Sequence, residues 1–467
     1  MSRQTSNYLK AACLAIFVVI LVSALPLVSM SQPTVLVDQY HENLLSLDPE
    51  QQWKMVTLAN ELISNGYAVT GLEVPISNAA LGSSDIFIIS EPASLVPSQD
   101  CFTSSELTDL QEFVNNGGGL LIAADFGINP DGSPTTWAAA CQQLANAFGF
   151  TLDNNCPTDS AHNIYEYPYW ITFNESTLGA HPIMRGVSSL QSFRTTTLSG
   201  PTGSSVLFST YPGTQPASRP AAIAASYGQG RVVIYGNNLY LADVVNGRNI
   251  ITPSGNKTVS MTGITAADNR RFAYQTITYL AGAQNRPLLS LTSPRESQLL
   301  YSTVNITGTA CDSDISYYKV EYASASAPTL FNTIATINES RIMATLATWD
   351  TALVPEGNYI IRITVHKNSG VEYSRSVNVA IKHLVEATSI AQCKSYADET
   401  LISLSNNIAT TGHDDFADCF YIEDQHRTSG IKVIQDNYLI NRGDAISIIG
   451  IMGTLAGERI LTSVLGN

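Results

Sequence analysis

Residues 113–127 read FVNNGGGLLIAADFG. The first residues close a helical pattern, three glycines stop it, and LLIAA is a continuous apolar run of strand length. Asp125 stands where that run ends, and a Phe-Gly step turns the chain at once. A strand that ends this way presents an acid at the edge of a sheet.

Working outward, the same grammar repeats. Upstream, TVLVD (34–38) is a short apolar strand followed by Gln39, Tyr40, His41, Glu42 and Asn43. WKMVTLANELISNGY carries apolar residues at helical spacing and closes on Asn65-Gly66, a helix-ending signal. YAVTGLEV and DIFIIS are further strands, the second apolar throughout, as a strand buried on both faces should be. Residues 104–116 form a helix that opens on Ser104, Ser105 and Glu106, and TTWAAACQQLANAFGF forms another after Asp125. Strands alternating with helices at short intervals predict a parallel sheet covered on both faces. In such sheets ligands sit beyond the carboxyl ends of the strands, where Asp38, His41, Asn43 and Asp125 fall.

A chain of 467 residues is too long for one ordinary domain. Only 13% of residues are charged and 44% are hydrophobic, which describes a folded, loop-rich chain and excludes a disordered one. A formal charge of −15 works against nucleic acid and anionic membrane as partners, because phosphate binding needs clustered Lys and Arg. Arg3 and Lys10 precede an uncharged apolar run, residues 11–30, so residues 1–31 read as a secretory signal cut after Ser31, or as an uncleaved N-terminal anchor. Either form places the rest of the chain outside the cell or in its envelope, and only the anchor would touch a membrane.

Six cysteines follow that segment: Cys101, Cys141, Cys156, Cys311, Cys393 and Cys419. None has zinc-site spacing, so no metal is expected. In an oxidising compartment Cys141 with Cys156, and Cys393 with Cys419, are the candidate bridges, although spacing alone does not fix connectivity. GQGR (228–231) is a hairpin turn without the GK[ST] of a phosphate loop, and no cofactor is expected.

The order of elements over residues 33–283, with FVNNGGGLLIAADFG in the fourth-strand position, resembles the class I glutamine amidotransferase-like fold. It is most similar to the branch holding trehalose-utilisation-type proteins and a domain of an intraflagellar-transport protein. HPIMRGV (181–187), YGQGRVVIYGNNLYLAD (227–243) and DNRRFAYQTITYLAG (268–282) carry the same resemblance. Amidotransferases place a nucleophilic Cys on the turn after this strand. Here Ala123-Ala124-Asp125-Phe126-Gly127 puts Asp125 there, and a carboxylate cannot perform glutamine thiolysis. His181-Pro182-Ile183 echoes the family's His only weakly.

Two expectations attach to these acids. Asp38, His41, Asn43, Asp125, Asn237 and Asp243 form a polar pocket for a sugar or cation, with Asp125, Asp38 and His41 as catalytic candidates. Alternatively, Asp38 and Asp125 cap helices or bond loop amides.

Residues 286–383 alternate apolar and polar at period two in short runs, predicting an immunoglobulin or fibronectin type III sandwich with Trp349 in its core. Tyr317, Tyr318 and Tyr322 are its candidates for a carbohydrate-binding face; the alternative is that they pack. Residues 386–467 hold five strands with turns at Gly443-Asp444 and near Gly457, and resemble an OB-like barrel. The predicted architecture is thus multidomain: a flavodoxin- or amidotransferase-like α/β parallel-sheet domain, an all-β sandwich and a small β-barrel. The expected function is an exported binding protein for glycan or envelope-protein ligands; the alternative is a secreted hydrolase of carbohydrate or amide.

Overall fold

The computed structural model describes residues 33–92, 101–129, 131–261, 263–282, 287–436 and 438–464. The expected signal or anchor, residues 1–31, lies outside the described residues.

The chain begins with β1 (Thr34–Asp38), α1 (Val56–Ser64), β2 (Ala68–Leu72), α2 (Asn78–Leu81), β3 (Ile86–Ser90), α3 (Ser104–Asn115), β4 (Gly119–Ala123) and α4 (Ala138–Ala147). The strands build one seven-stranded sheet in the order Ser205–Ser209, Pro220–Tyr227, Gly230–Tyr235, β4, β3, β1, β2. From Gly230–Tyr235 to β2 every pairing is parallel, and the two outer strands add to that edge antiparallel. The outer strands come from the Ser/Thr/Gly-rich segment after Cys156, which also contributes a separate sheet holding Tyr167–Asn174 and Ser189–Phe193. The expected GQGR turn joins Pro220–Tyr227 to Gly230–Tyr235, with Gly228 at φ 57°.

All five residues of β3 and of β4 are buried, because helices cover both faces. Ile86 and Ile88 pack with Val35, Val37, Leu121 and the helix α5 (Asn269–Leu280) on one side. Phe87 and Ile89 pack with Leu120, Ile122 and α4 on the other. Each such side chain contributes about 1.5–3 kcal/mol. The three glycines at the start of β4 serve that packing. Gly117 ends α3 at φ 113°, and a Cβ on Gly119 would lie 2.5 Å from the Leu280 carbonyl, so only glycine lets α5 close over the strand.

Beyond α5 the fold is all β. A three-stranded sheet (Leu288–Ser293, Thr303–Cys311, Arg341–Asp350) faces a five-stranded one (Gln298–Leu300, Glu372–Ile381, Gly357–Lys367, Ile315–Ser324, Asn332–Ile337). Trp349, Tyr318, Ile361 and Ile363 lie in the core between them. In the last region Leu401–Ala409, Cys419–Glu423, Gly430–Ile434, Glu458–Ser463 and Ala445–Leu455 pair in turn. The first and last of these also pair, closing a five-stranded barrel. Leu384–Glu386 adds to its edge.

Neither expected disulfide forms. Cys141, Cys156, Cys393 and Cys419 are free thiols. Cys141 faces inward from α4 onto the sheet core, whereas Cys156 lies in the loop beyond Thr151–Leu152. Cys393 Sγ instead lies 3.2 Å from Met452 Sδ inside the barrel. The tyrosine face is corrected too. Tyr318 is fully buried, and Tyr322 stacks on Trp349 with ring centroids 4.7 Å apart. Tyr317 alone of the three faces outward, since neighbours on a strand point to opposite sides.

Candidate functional site

β1 connects through α1 to β2 on one side, and β3 connects through α3 to β4 on the other, so the topological crevice opens between the carboxyl ends of β1 and β3. Polar side chains gather there in two clusters.

The first fills the crevice itself. Asp38, the last residue of β1, is 0% exposed. Its Oδ1 accepts from the Tyr40 amide at 3.1 Å, and its Oδ2 lies 2.9 Å from His41 Nδ1. His41 Nε2 lies 3.1 Å from Glu106 Oε1, and the ring packs against Phe102 at 4.5 Å. Glu106 in turn accepts from the amides of Ile76 and Thr103, closing a capping box at the start of α3 with Thr103 as the cap. Burial works against a charged His41, but the hydrogen bond and charge of Asp38, and those of Glu106, outweigh it and raise its pKa. Burial likewise opposes ionised Glu106, yet the Thr103 hydrogen bonds and His41 lower its pKa. The cluster is an imidazolium held between two carboxylates, and both ring nitrogens are spent. A general base needs one nitrogen free for substrate.

The second cluster lies at the ends of β3 and β4. Ser90 stands opposite Ala123, so Glu91 and Asp125 leave adjacent strands at neighbouring positions. Glu91 sits in the left-handed region at φ 48°, which costs about 1–3 kcal/mol in a non-glycine residue and turns its side chain inward, 2% exposed. Its carboxyl bonds that of Asp125 and accepts from Asn238 Nδ2. Asp125 Oδ1 accepts from the Phe126 amide at 2.8 Å and from Asn237 Nδ2 at 2.9 Å. Burial, then the neighbouring Asp125 charge, pushes the Glu91 carboxyl well above its ordinary range. Burial raises Asp125 as well, against the pull of the Phe126 amide, Asn237 and Arg194. Two carboxyls in contact cannot both ionise cheaply, so they share a proton, which Glu91 donates to Asp125.

The other expected site residues divide. Asn237 belongs to this second cluster, and also binds the carbonyls of Phe193 and Arg194. Asn43 bonds the Ser90 amide through Oδ1 at 3.0 Å and lines a cleft of about 470 Å3 with Tyr40, Glu42 and Trp53, which neither Asp38 nor His41 lines. Asp243 is not in the pocket. Residues 239–242 are buried and carry it away to α1, where its Oδ1 accepts from the Thr57 amide at 2.9 Å as a cap. Asp38 and Asp125 belong to separate clusters, since β3 runs between their strands and two inter-strand spacings are about 10 Å.

Glu91 is the residue that sequence reasoning missed. Its signal was positional: it follows DIFIIS as Asp125 follows LLIAA. Burial, then the charges of Glu91 and Asp125, raises the Cys141 thiol well above its ordinary value, and burial, then Asp125, pushes Cys156 up to about 12. His181 caps a short 3-10 turn, its Nδ1 accepting from the Ile183 amide at 3.2 Å, and burial with Arg231 lowers its pKa to about 4. Among the described residues no cluster of three or more His, Cys, Asp or Glu is arranged to hold a metal ion.

No family model and no curated protein matches the chain. Among solved structures it is similar to the mmIFT52 N-terminal domain, at 16% identity and a TM-score of 0.42, covering 54% of this chain and 99% of that one. It is similar to the cytoplasmic protein STM1381 from Salmonella typhimurium LT2, at 13% identity and a TM-score of 0.29, covering 44% and 87%. It is also similar to the fibronectin(III)-like modules of Clostridium thermocellum CbhA, at 10% identity and a TM-score of 0.16, covering 38% and 96%. None of these carries an activity to this chain.

Proposed function

We propose that the chain is an exported or cell-surface binding protein in which the α/β domain is a non-catalytic amidotransferase-like scaffold and the β modules hold glycan or protein ligands. One observation carries the reading. At the strand end where the resembled family keeps its nucleophile, Asp125 is bonded to the Phe126 amide, to Asn237 and to the proton of Glu91. Chemistry needs an acid, base or nucleophile with a free reacting atom. A carboxyl held by three partners of its own fold acts as a fastener. The hydrolase alternative needs Asp125, Asp38 and His41 around one bond, and His41 already has a buried carboxylate on each nitrogen.

The test is turnover by the whole chain: ammonia release from glutamine and hydrolysis of a glycoside panel, beside the Asp125→Asn variant. Both proteins are expected at the uncatalysed background. Turnover by the unaltered chain that Asp125→Asn abolishes overturns the reading.

A further inference from the structure

The five-stranded sheet of the sandwich turns one face to the Trp349 core and the other outward. On Gly357–Lys367 the residues Tyr359, Ile361, Ile363 and Val365 point inward, so Arg362, Thr364 and His366 point out. Thr364 departs from that pattern. It occupies an outward position yet is only 7% exposed, and its Oγ1 is buried without a hydrogen-bond partner. A buried hydroxyl left unpaired costs about 1–3 kcal/mol, so its place in the structure calls for a reason.

Its neighbours supply one. Lys319 and Ser374 stand directly across from Thr364 on the two flanking strands, and Arg362 and His366 stand two positions away along its own. Together with Glu321 and Glu372 they enclose a cleft of about 380 Å3 with Thr364 on its floor. The walls are fixed. Arg362 donates to Glu321 Oε2 at 2.8 Å and lies 3.5 Å over the Phe331 ring. His366 stacks on Tyr317 at 4.3 Å and pairs with Glu372 at 2.7 Å. Lys319 differs from both. Its Nζ lies 5.8 Å from the Tyr317 ring centroid and meets no carboxylate among the described residues.

The cleft therefore offers one uncommitted ammonium and one uncommitted hydroxyl side by side, between the Arg362–Glu321 ion pair and the His366–Glu372 contact. The ammonium calls for an anionic oxygen, and the hydroxyl for a neutral polar group within a few ångströms of it. A phosphate dianion is disfavoured by Glu321 and Glu372 on the rim, whereas a single carboxylate is matched by the single free charge. A neutral sugar would cover Lys319 without a counter-charge, at a desolvation cost. The volume is in the range of small-ligand sites.

We propose that this cleft binds a carboxylate-bearing sugar, a uronic acid residue of a glycan, with Lys319 on the carboxylate and Thr364 Oγ1 on a ring hydroxyl. The proposal rests on the binding reading above and gives it a ligand class. Nothing in it involves Asp125 or Glu91.

The experiment is calorimetric titration of the whole chain with an oligogalacturonate and with the matching neutral galactose oligomer, beside a glycan array. The acidic oligomer is expected to bind and the neutral one to bind at least 10-fold more weakly. Lys319→Gln is expected to weaken acid binding about 10-fold or more, the loss of one charge-assisted bond. Thr364→Val, which keeps the branched shape and removes a hydroxyl that bonds nothing in the free chain, is expected to weaken it several-fold while the melting temperature rises or holds. Equal binding of both oligomers, binding of neither, or variants that bind as the unaltered chain does, overturns the assignment. If the array shows glycans bound indifferently to Lys319→Gln, this cleft fails and the binding reading stands; a blank array removes the cleft and leaves that reading only its protein ligands.

Discussion

Replacing Glu91 with Gln should free the fold from a pH dependence that the carboxyl pair imposes on it. In the folded chain Glu91 and Asp125 share a proton, and both are raised above the ordinary carboxylate range. In the unfolded chain both ionise once the pH passes about 4. Folding above that pH therefore takes up one proton, and stability falls as pH rises, until the raised folded value is passed. The slope for one proton is about 1.4 kcal/mol per pH unit over the range in which the folded pair keeps the proton that the unfolded chain has lost. Glu91→Gln keeps the geometry, because its amide nitrogen donates to Asp125 and its oxygen accepts from Asn238, but it has no proton to lose. The groups around the pair do not offset the change: the Cys141, Cys156 and Tyr240 groups are raised by burial and stay neutral. Urea unfolding at pH 5, 6, 7 and 8, followed by tryptophan fluorescence, measures the difference. Trp137 donates to the Phe126 carbonyl at 2.8 Å beside the pair and makes a suitable reporter. The variant is expected to gain on the unaltered chain steadily with pH. Parallel stability curves would show that no proton is shared, and the fastener reading of Asp125 would go with it.

Two further substitutions probe the neighbouring elements. His41→Ala leaves Asp38 and Glu106 as facing buried carboxylates without their cation, and should destabilise the chain by about 3–5 kcal/mol. Because the folded His41 pKa is raised, its contribution is complete below about pH 6.5 and is lost as pH rises through the folded value. Thermal unfolding of the pair of proteins should accordingly differ most at pH 6 and converge in alkali. Asp243→Ala removes the cap from α1 and should cost about 1 kcal/mol, read as faster amide exchange at the start of that helix, with glycan binding unchanged.

The α/β order was legible because each parallel strand is an uninterrupted apolar run: DIFII and LLIAA are buried on both faces and need no alternation. The sandwich and barrel were legible for the opposite reason, their period of two. That same period argued against Tyr317 and Tyr318 sharing a face, and the structure separates them. The site was only half legible. Asp38 and Asp125 announce themselves as acids that end strands, but what such an acid does is decided by residues distant in the chain. Glu106 lies 65 positions from His41, and Asn237 lies 112 from Asp125. Asp243 was placed wrongly because it lies six positions past Asn237, enough chain to turn the strand end back to α1. The disulfides failed on direction: sequence spacing carries no information about which way a helix turns a side chain such as Cys141.

Three neighbouring strands, β1, β3 and β4, each end within two residues of an acid, Asp38, Glu91 and Asp125. Left ionised and unpaired at one sheet edge, three such charges would repel across adjacent strands in a medium that screens poorly. The chain resolves this twice, by different means. At β1 it inserts a cation, His41, whose second nitrogen recruits Glu106 and so ties the crevice to the start of α3. At β3 and β4 it withholds a charge, letting Glu91 keep its proton and bonding both carboxyls to the consecutive amides of Asn237 and Asn238 from the strand beyond. Both solutions commit the acids of this edge to partners within the fold. The acids of the sheet edge thereby serve as cross-links within the fold, while Lys319 and Thr364 on the outer face of the sandwich stay uncommitted.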